Sequence, residues 1–220
     1  KGCSNALIKS YGIFNNACEI KWDELPEKFA IKVTNGCGYN IICEDKNTLN
    51  KEQTEKQLNK WLKTDYSAES AEIHYSKMTP RIIIEEFIET KEGNLPIDYK
   101  IYCFNGEPEY ILVTPDRESG FKRYLFDLEW NRVDFDKTSN NERQGIVDKP
   151  SSLEEMLSYS RILAEPFPFV RMDFYDYNGK AILGEMTFTP AAGMATHYKE
   201  GFLLDLGDKI KLPEKIINGW

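Results

Sequence analysis

The sequence has no long hydrophobic run, no paired cysteine motif and only two histidines among its 220 residues. No stretch approaches the roughly 20 apolar residues that a membrane-spanning helix needs, so no membrane span is predicted. The five cysteines are odd in number and form no CxxC pair and no Cys/His cluster. This disfavours a disulfide framework and a zinc site. We therefore expect reduced thiols and a cytoplasmic location.

Basic residues are also scarce, because 28 Lys and Arg stand against 36 Asp and Glu, for a net charge of −8. Non-specific nucleic-acid binding needs a basic surface, so no nucleic-acid partner is expected. Local binding of phosphate groups stays possible. Aromatic residues make up 13 % of the chain, which argues against disorder. The length allows one large domain or two small ones.

The hydrophobic pattern predicts an α+β chain that is rich in antiparallel hairpins. Predicted strands lie at 28–34, 39–43, 81–88, 98–104, 109–113, 121–127, 170–175 and 181–188. Helices are predicted at 50–63 and 150–164, the second with a serine cap at its start. A segment with Gly and Pro at 89–96 predicts a boundary between two lobes.

The hairpin at 170–188 carries the most informative polar residues. Arg171 and Asp173 share one face of the first strand, and Glu185 and Thr187 share one face of the second. A two-residue turn would place the two pairs on opposite faces, whereas a three-residue loop would make Asp173 and Glu185 diagonal neighbours on one face. Two carboxylates so placed can share a hard cation such as Mg²⁺. The alternative is a solvated or Arg-paired polar surface.

Lys32 lies in an apolar strand just before the turn at 35–38, which contains two glycines. Glycines let backbone N–H groups approach a phosphate, and a nearby lysine supplies positive charge. No GK[ST] follows, so this is not a Walker sequence. An ordinary edge-strand lysine is the alternative interpretation.

Two other strands carry candidate polar groups. The apolar strand at 81–88 ends in acidic residues before the linker, so its backbone could meet an adenine edge; a core strand with a charged end is the alternative. Asp98 and Lys100 share one face of the next strand. Lys100 could face phosphates, with Asp98 orienting it, or the two could form a simple surface ion pair.

The order of these segments resembles the ATP-grasp superfamily, and the sequence is more similar still to its TupA-like branch, named for a teichuronopeptide biosynthesis protein. The stretches that carry the resemblance are 25–32, 35–42, 98–106, 173–176 and 184–190. The resemblance covers roughly residues 20–215. Its most specific part is the pair of motifs around Asp173 and Glu185.

The resemblance implies an ATP-grasp fold, in which two α+β lobes with mostly antiparallel sheets clasp ATP. We then expect an N-terminal lead or remnant of a preceding domain at 1–27, a first lobe at 28–90 and a second lobe with the metal site at 91–220. ATP-grasp enzymes usually place a further domain before these lobes. We therefore expect this chain to be a fragment that lacks part of its substrate side.

The resemblance also implies roles for individual residues. Lys100 would contact the transferred phosphate, and Arg171 would assist the metal-bound phosphates. Mg²⁺ would be held by Asp173 and Glu185, with Thr187 as a weaker third ligand. The expected ATP contacts are Lys32, Asn35, Gly36, Gly38, Glu85, Glu86, Phe87 and Ile88.

Two positions depart from the family pattern. Many ATP-grasp enzymes have Asn where this chain has Thr187, and the branch often has His where this chain has Asn35. A hydroxyl is a poorer metal ligand, so a second Mg²⁺ is in doubt. Of the two histidines, His74 is expected in a loop or at the surface, and His197 could touch an acceptor.

The expected function is an ADP-forming ligase that uses Mg²⁺ and ATP to join a carboxylate to an amine, or to a thiol, through an acyl phosphate. By resemblance, it would act in cell-surface polysaccharide or capsule synthesis, on a small-molecule or saccharide carboxylate. One alternative is a phosphotransferase acting on a sugar hydroxyl. Another is a catalytically silent nucleotide-binding module.

Overall fold

The computed structural model describes residues 2–70, 72–89, 96–115, 123–137 and 147–212. The chain divides into two compact units. One is Ile8–Glu89, and the other combines Lys1–Leu7 with Thr90–Trp220. Each unit contains an antiparallel sheet and α-helices, which confirms the predicted α+β class. The expected lobe limits stay a prediction, and residues 90–95 of the expected linker lie outside the described ranges.

A four-stranded sheet with the order β1-β4-β2-β3 organises the unit Ile8–Glu89. Its strands are β1 (Ser10–Phe14), β2 (Phe29–Val33), β3 (Asn40–Cys43) and β4 (Ile82–Glu86). Its α-helices are α1 (Lys51–Lys63) and α2 (Tyr66–Ser70). β4 pairs with β1 on one side and β2 on the other, as expected for its apolar run.

The core of this unit forms between one face of the sheet and α1. Phe29 of β2 and Leu58 of α1 are fully buried in the same apolar cluster. α1 begins after Asn50, whose side-chain oxygen accepts a 3.0 Å hydrogen bond from the Gln53 N–H, a common N-cap arrangement. Since strand side chains alternate, Lys32 lies on the face opposite Phe29.

A six-stranded antiparallel sheet with the order β10-β9-β5-β6-β7-β8 organises the other unit. Its strands are β5 (Asp98–Phe104), β6 (Glu107–Thr114), β7 (Tyr124–Phe126), β8 (Arg132–Val133), β9 (Phe169–Tyr177) and β10 (Lys180–Thr187). Its α-helices are α3 (Leu153–Ala164) and α4 (Glu200–Lys209). β5 matches its predicted limits at both ends.

The two faces of this sheet have different surroundings. One packs Ile101 and Met172 with Met156 of α3 into the larger apolar core. The other carries a smaller cluster that includes Tyr102 of β5 and Tyr198. Because side chains alternate, Asp98 and Lys100 of β5 and Arg171 and Asp173 of β9 project from the face with the smaller cluster. This face therefore positions the candidate site.

The start of α3 differs from the prediction. The helix begins at Leu153, and the Ser152 hydroxyl makes no capping hydrogen bond, so the predicted serine cap is wrong. The carboxylate of Asp176 instead accepts hydrogen bonds from the Ser151 hydroxyl at 3.0 Å and the Ser152 N–H at 3.4 Å. Asp176, in the hairpin of β9 and β10, thus provides hydrogen bonds at the start of α3 in place of the predicted serine cap.

The cysteines agree with the sequence-based expectation. None of the five takes part in a disulfide. Burial is the largest cause that raises the pKa of Cys103, to about 12, so this thiol stays protonated at neutral pH. No helix among the described residues has the length and apolar character of a membrane span.

Candidate functional site

A two-residue turn joins β9 to β10. Tyr177 pairs with Lys180, and Asn178 and Gly179 between them have φ values of 53° and 74°. Two positive φ values in succession are typical of a tight hairpin turn. The three-residue loop considered from the sequence is therefore wrong, as is the diagonal placement of the carboxylates that it implied.

A β-bulge next to the turn places the acidic residues of the hairpin on the same face. The register shifts between Leu183 and Glu185, so Glu185 pairs directly with Asp173. Gly184 occupies the extra position, where a Cβ atom would lie 2.8 Å from the ring of Tyr175. An extra residue reverses the alternation of side chains. The bulge thus restores the common face that a two-residue turn alone would remove.

Lys100 connects two buried carboxylates on this face. Its Nζ atom donates to Asp98 Oδ2 at 2.7 Å and to Asp173 Oδ2 at 2.6 Å. The side chain of Lys100 is 16 % exposed, and those of Asp98 and Asp173 are 3 % and 5 % exposed. Strand pairing sets the second contact, because Lys100 lies directly opposite Asp173 between β5 and β9. Of the two sequence-based alternatives, the surface ion pair does not fit this burial.

Arg171 forms a bidentate ion pair with the same carboxylate. Its Nε atom donates to Asp173 Oδ1 and its Nη2 atom to Oδ2, both at 2.7 Å. Nη2 also donates to the hydroxyl of Thr187 at 3.1 Å, and this hydroxyl donates to Glu185 Oε1 at 3.0 Å. One connected polar network therefore contains the five residues predicted from β5, β9 and β10 for phosphate and metal, together with Asp98.

Electrostatics hold Arg171 in its charged form. Burial by itself would lower its pKa, but the adjacent Asp173 carboxylate raises it above the ordinary value. Glu185 acts in the same direction. The guanidinium therefore keeps its positive charge at every physiological pH.

The oxygen donors of this network suit a hard cation. Asp173 and Glu185 are directly opposed on one sheet face, and Thr187 adds a hydroxyl. The described residues contain no group of three or more His, Cys, Asp or Glu side chains arranged to hold a metal. Mg²⁺ commonly uses only one or two protein carboxylates and completes its shell with water and substrate phosphates. The residues present therefore fit Mg²⁺ better than a metal that needs an all-protein cage.

A buried tyrosine pair adjoins the network and was missed from the sequence. The hydroxyls of Tyr102 and Tyr198 lie 2.6 Å apart, and Tyr102 is opposite Arg171 in the pairing of β5 and β9. Burial is the largest cause that raises the pKa of each tyrosine. The two residues are 96 positions apart, so no local pattern could reveal their contact.

Lys32 lies in the other unit and pairs with Glu85. Their Nζ and Oε2 atoms are 2.6 Å apart, with the lysine side chain 33 % exposed and the glutamate side chain 17 % exposed. The register of β2 and β4 puts Glu85 opposite Ala30, two residues from Lys32, so both charges share a face. The structure brings these two predicted residues together, and their contact with ATP stays a prediction.

Asn35 has a structural role in the turn between β2 and β3. Asn35 is 4 % exposed, and its side-chain nitrogen donates to the carbonyl oxygens of Trp61 and Thr64, both at 3.0 Å. It therefore binds two carbonyl groups at the end of α1, one of which, that of Trp61, also accepts the Thr64 N–H at 3.1 Å. Gly38, with φ of 76°, has a conformation that favours glycine. A Cβ at Gly36 would lie 2.6 Å from the ring of Tyr39.

The residues predicted to meet adenine lie at the end of β4. Glu85 and Glu86 are within the strand, and the Glu86 N–H donates to the Lys9 carbonyl oxygen at 2.9 Å. Phe87 and Ile88 follow the strand end, where Ile88 is buried. Of the four predicted residues, only Phe87 and Ile88 therefore lie beyond the strand pairing of β4. The role of this segment stays a prediction.

The two histidines occupy different units. His74 packs against the ring of Tyr75, with centroids 4.3 Å apart, in a short 3₁₀ segment. His197 precedes Tyr198 and lies in the unit that contains the Asp173 network. Burial and the positive charge of Arg123 lower the pKa of His197. The position of His197 is close to the network, and its contact with an acceptor stays a prediction.

A family model described as TupA-like ATPgrasp matches residues 5–211. The chain belongs to the TupA-like ATP-grasp family. This match confirms the resemblance found in the motifs. None of the curated proteins matches the chain.

Several solved structures resemble parts of this TupA-like chain. D-alanine–D-alanine ligase from Bacillus anthracis, complexed with ATP, is 14 % identical over 86 % of this chain and 54 % of that chain, with a TM-score of 0.46. ATP-grasp ligase PsnB, complexed with a phosphomimetic variant of minimal precursor, Mg and ADP, is 12 % identical over 94 % and 54 %, with a TM-score of 0.47. Phosphoribosylamine–glycine ligase from Thermotoga maritima is 11 % identical over 94 % and 52 %, with a TM-score of 0.48. This chain spans about half the length of each.

Proposed function

We propose that this chain belongs to an ADP-forming ligase that uses Mg²⁺ and ATP to join a carboxylate to an amine. The observation that carries the proposal is the buried network in which Lys100 and Arg171 both contact Asp173, with Glu185 directly opposite. Membership of the TupA-like ATP-grasp family supports the same conclusion. The whole protein's substrates are part of the proposal.

In the proposed reaction, the substrate carboxylate attacks the terminal phosphorus of ATP, which forms an acyl phosphate and releases ADP. The amine then attacks the acyl carbon, the C–O bond to phosphate breaks, and an amide and free phosphate result. Negative charge builds on the phosphate oxygens during transfer. Lys100 and Arg171 are fixed cations that stabilise this charge and orient the phosphates.

Asp173 and Glu185 would hold Mg²⁺, with the hydroxyl of Thr187 as a weaker donor. A bound Mg²⁺ would neutralise phosphate charge and act as a Lewis acid. Asp98 has a different task, because it keeps Lys100 in place through the 2.7 Å hydrogen bond. It would retain Lys100 on the sheet face while the lysine contacts a phosphate.

The metal assignment is tested by replacing Asp173 with Asn. We expect Asp173→Asn to lose the Mg²⁺ dependence of ATP binding, measured by calorimetry with and without Mg²⁺. Asp176→Asn is the matched control, because Asp176 lies in the same strand but contacts Ser151 instead of the network. ATP binding by Asp173→Asn with an unchanged response to Mg²⁺ would refute the assignment.

The reaction class is tested by following the phosphate. A ligase releases free phosphate together with ADP only when both the carboxylate and the amine are present. A phosphotransferase acting on a sugar hydroxyl would form ADP and keep the phosphate on the sugar. A silent nucleotide-binding module would bind Mg²⁺ and ATP without turnover on any substrate pool. Phosphorus NMR of the products separates these three results.

The biological setting is the finest part of the proposal. We propose a role in cell-surface polysaccharide or capsule synthesis, with an amine joined to a saccharide carboxylate, from the resemblance of the motifs to the branch named for a teichuronopeptide biosynthesis protein. We propose the cytoplasm as the compartment because ATP is available there. Incubation with ATP, glucuronate and a pool of amino acids, followed by mass spectrometry, would test the substrate class through formation of an amide.

A further inference from the structure

Three neighbouring side chains in the unit with the Asp173 network bury polar atoms that make no hydrogen bond. The atoms are Arg123 Nε, His197 Nε2 and Thr114 Oγ1. A buried polar group without a partner is energetically unfavourable, so such atoms call for an explanation. Two of the three are nitrogen atoms that can donate a hydrogen bond, and the third belongs to a hydroxyl that can also donate.

The strand register places Thr114 on the face of the network. Thr114 pairs with Asp98 between β5 and β6, so the two side chains share a face. β6 and β7 pair through Val113 and Tyr124, which are the immediate neighbours of Thr114 and Arg123 in the chain. Arg123 therefore lies at the end of β7 that adjoins Thr114.

His197 is attached to the same face through its neighbour. The hydroxyl of Tyr198 contacts that of Tyr102, which lies opposite Arg171. The segment is held from the other side, since the Lys137 N–H donates to the His197 carbonyl oxygen at 2.9 Å. Burial raises the pKa of Tyr198, and the positive charges of Arg123 and Arg171 both act against this rise. The unsatisfied atoms therefore lie close to the proposed phosphate-transfer network.

The charges around His197 favour an anion. Burial lowers the pKa of His197, and the positive charges of Arg123 and Lys137 lower it further, whereas the negative charge of Asp136 acts in the opposite direction. Lys137 Nζ is already engaged with the Thr196 carbonyl oxygen at 2.9 Å. One guanidinium with two neutral donors matches a singly charged carboxylate better than a phosphate dianion.

We propose that Arg123, His197 and Thr114 form a subsite for a carboxylate group of the acceptor substrate. This inference rests on the proposed ligase function and adds the residues that recognise the acceptor. The carboxylate accepts hydrogen bonds from Arg123 Nε, from the Thr114 hydroxyl, and from His197 Nε2 in the neutral tautomer that carries the hydrogen on Nε2. Binding would satisfy all three buried atoms.

The test uses the two histidines as reporters. The whole chain is labelled with ¹⁵N-histidine, and glucuronate or glutamate is added while the imidazole signals are followed by NMR; the variant His74→Gln assigns them. We expect a saturable shift of the His197 signal and none of the His74 signal. Glucose, the counterpart of glucuronate that lacks the carboxylate, should produce no shift.

Arg123→Gln should weaken this response at least tenfold, whereas Arg161→Gln should leave it unchanged. Arg161 is an exposed residue of α3 paired with Glu107, so it controls for loss of an arginine. Circular dichroism and thermal unfolding of Arg123→Gln, compared with the original chain, establish that the variant folds.

The outcomes separate the two proposals. If neither carboxylate shifts His197 while ATP binds with Mg²⁺, the subsite is refuted and the ligase proposal stands. An unchanged response in Arg123→Gln also refutes it, as does a His197 shift with inorganic phosphate but not with the carboxylates. If the original chain fails to bind ATP, the ligase proposal itself is wrong.

Discussion

Replacing Lys100 with Met should tighten the binding of a divalent metal in the absence of nucleotide. The carboxylate of Asp173 accepts three hydrogen bonds from cations, one from Lys100 and two from Arg171. A carboxylate has about four acceptor positions, so few remain for a metal ion. Removing Lys100 frees a position on Oδ2 and removes a positive charge that repels the metal.

The expected gain in metal affinity arises because the metal no longer has to displace the hydrogen bond from Lys100 to Asp173. A hydrogen bond to a charged group contributes about 1.5–3 kcal/mol, which corresponds to about a ten- to hundredfold change in Kd. The assay is a titration with Mn²⁺, a paramagnetic substitute for Mg²⁺, followed by electron paramagnetic resonance of the free ion. A Kd for Mn²⁺ that is unchanged or weaker in Lys100→Met would refute the reasoning.

Stability must be measured beside the metal affinity. Without Lys100, the buried carboxylate of Asp98 has lost the cation that Lys100 supplied, which should lower the free energy of unfolding by about 3–5 kcal/mol. The double variant Lys100→Met with Asp98→Asn also removes the negative charge of Asp98 and should recover part of the loss. Lys180→Met, at the exposed start of β10, is the control for removal of a lysine.

Three further predictions concern single side chains. Lys32→Ala should weaken ATP binding at least tenfold by calorimetry, through loss of a charge-assisted contact of about 2 kcal/mol, whereas Lys28→Ala, which removes an exposed pair with Glu89, should not. Asn35→Ala should lower the free energy of unfolding by about 1–3 kcal/mol in urea, because the two hydrogen bonds from its side chain to carbonyl groups are lost; a change below about 0.5 kcal/mol would contradict this. Burial raises the pKa of Tyr99 to about 12 from an ordinary value of 10.0, so its contribution to stability is complete below pH 10 and is lost as the pH rises towards 12. In Tyr99→Phe, the decline of the free energy of unfolding between pH 10 and pH 12, measured with urea, should be smaller by about 3 kcal/mol. Identical declines in the original chain and the variant would refute the assignment.

Local patterns were sufficient for many of the elements. The first four residues of strand β5 alternate between polar and apolar, and the limits of the strand at 98–104 were predicted without error. Helix α1 was predicted within one residue, since its apolar stripe and its Asn50 cap are both local features. Strand β1 was missed because its five residues carry little pattern of their own and gain their order by pairing with β4.

The site depended on contacts that no local pattern encodes. Asp173 and Glu185 were recognised as a pair, but their register rests on the bulge at Gly184, where the ring of Tyr175 leaves no space for a side chain. Asn35 was assigned to a phosphate loop from its neighbours in sequence. Its observed hydrogen-bond partners lie 26 and 29 residues further along the chain.

The protonation states of the residues on this sheet face bear on both the proposed phosphate transfer and the proposed acceptor subsite. Burial, as the largest cause, keeps the pKa of Tyr102 above its ordinary value, while Asp173 keeps Arg171 charged, so neither residue changes protonation near neutral pH. His197 differs, because burial and Arg123 lower its pKa and keep its imidazole neutral there. A neutral imidazole has one N–H donor and adds no charge, so it can bind a carboxylate without competing with Lys100 and Arg171 for a phosphate. The same face can therefore hold two anionic groups by different means, with fixed cations for the phosphate and mostly neutral donors for the carboxylate.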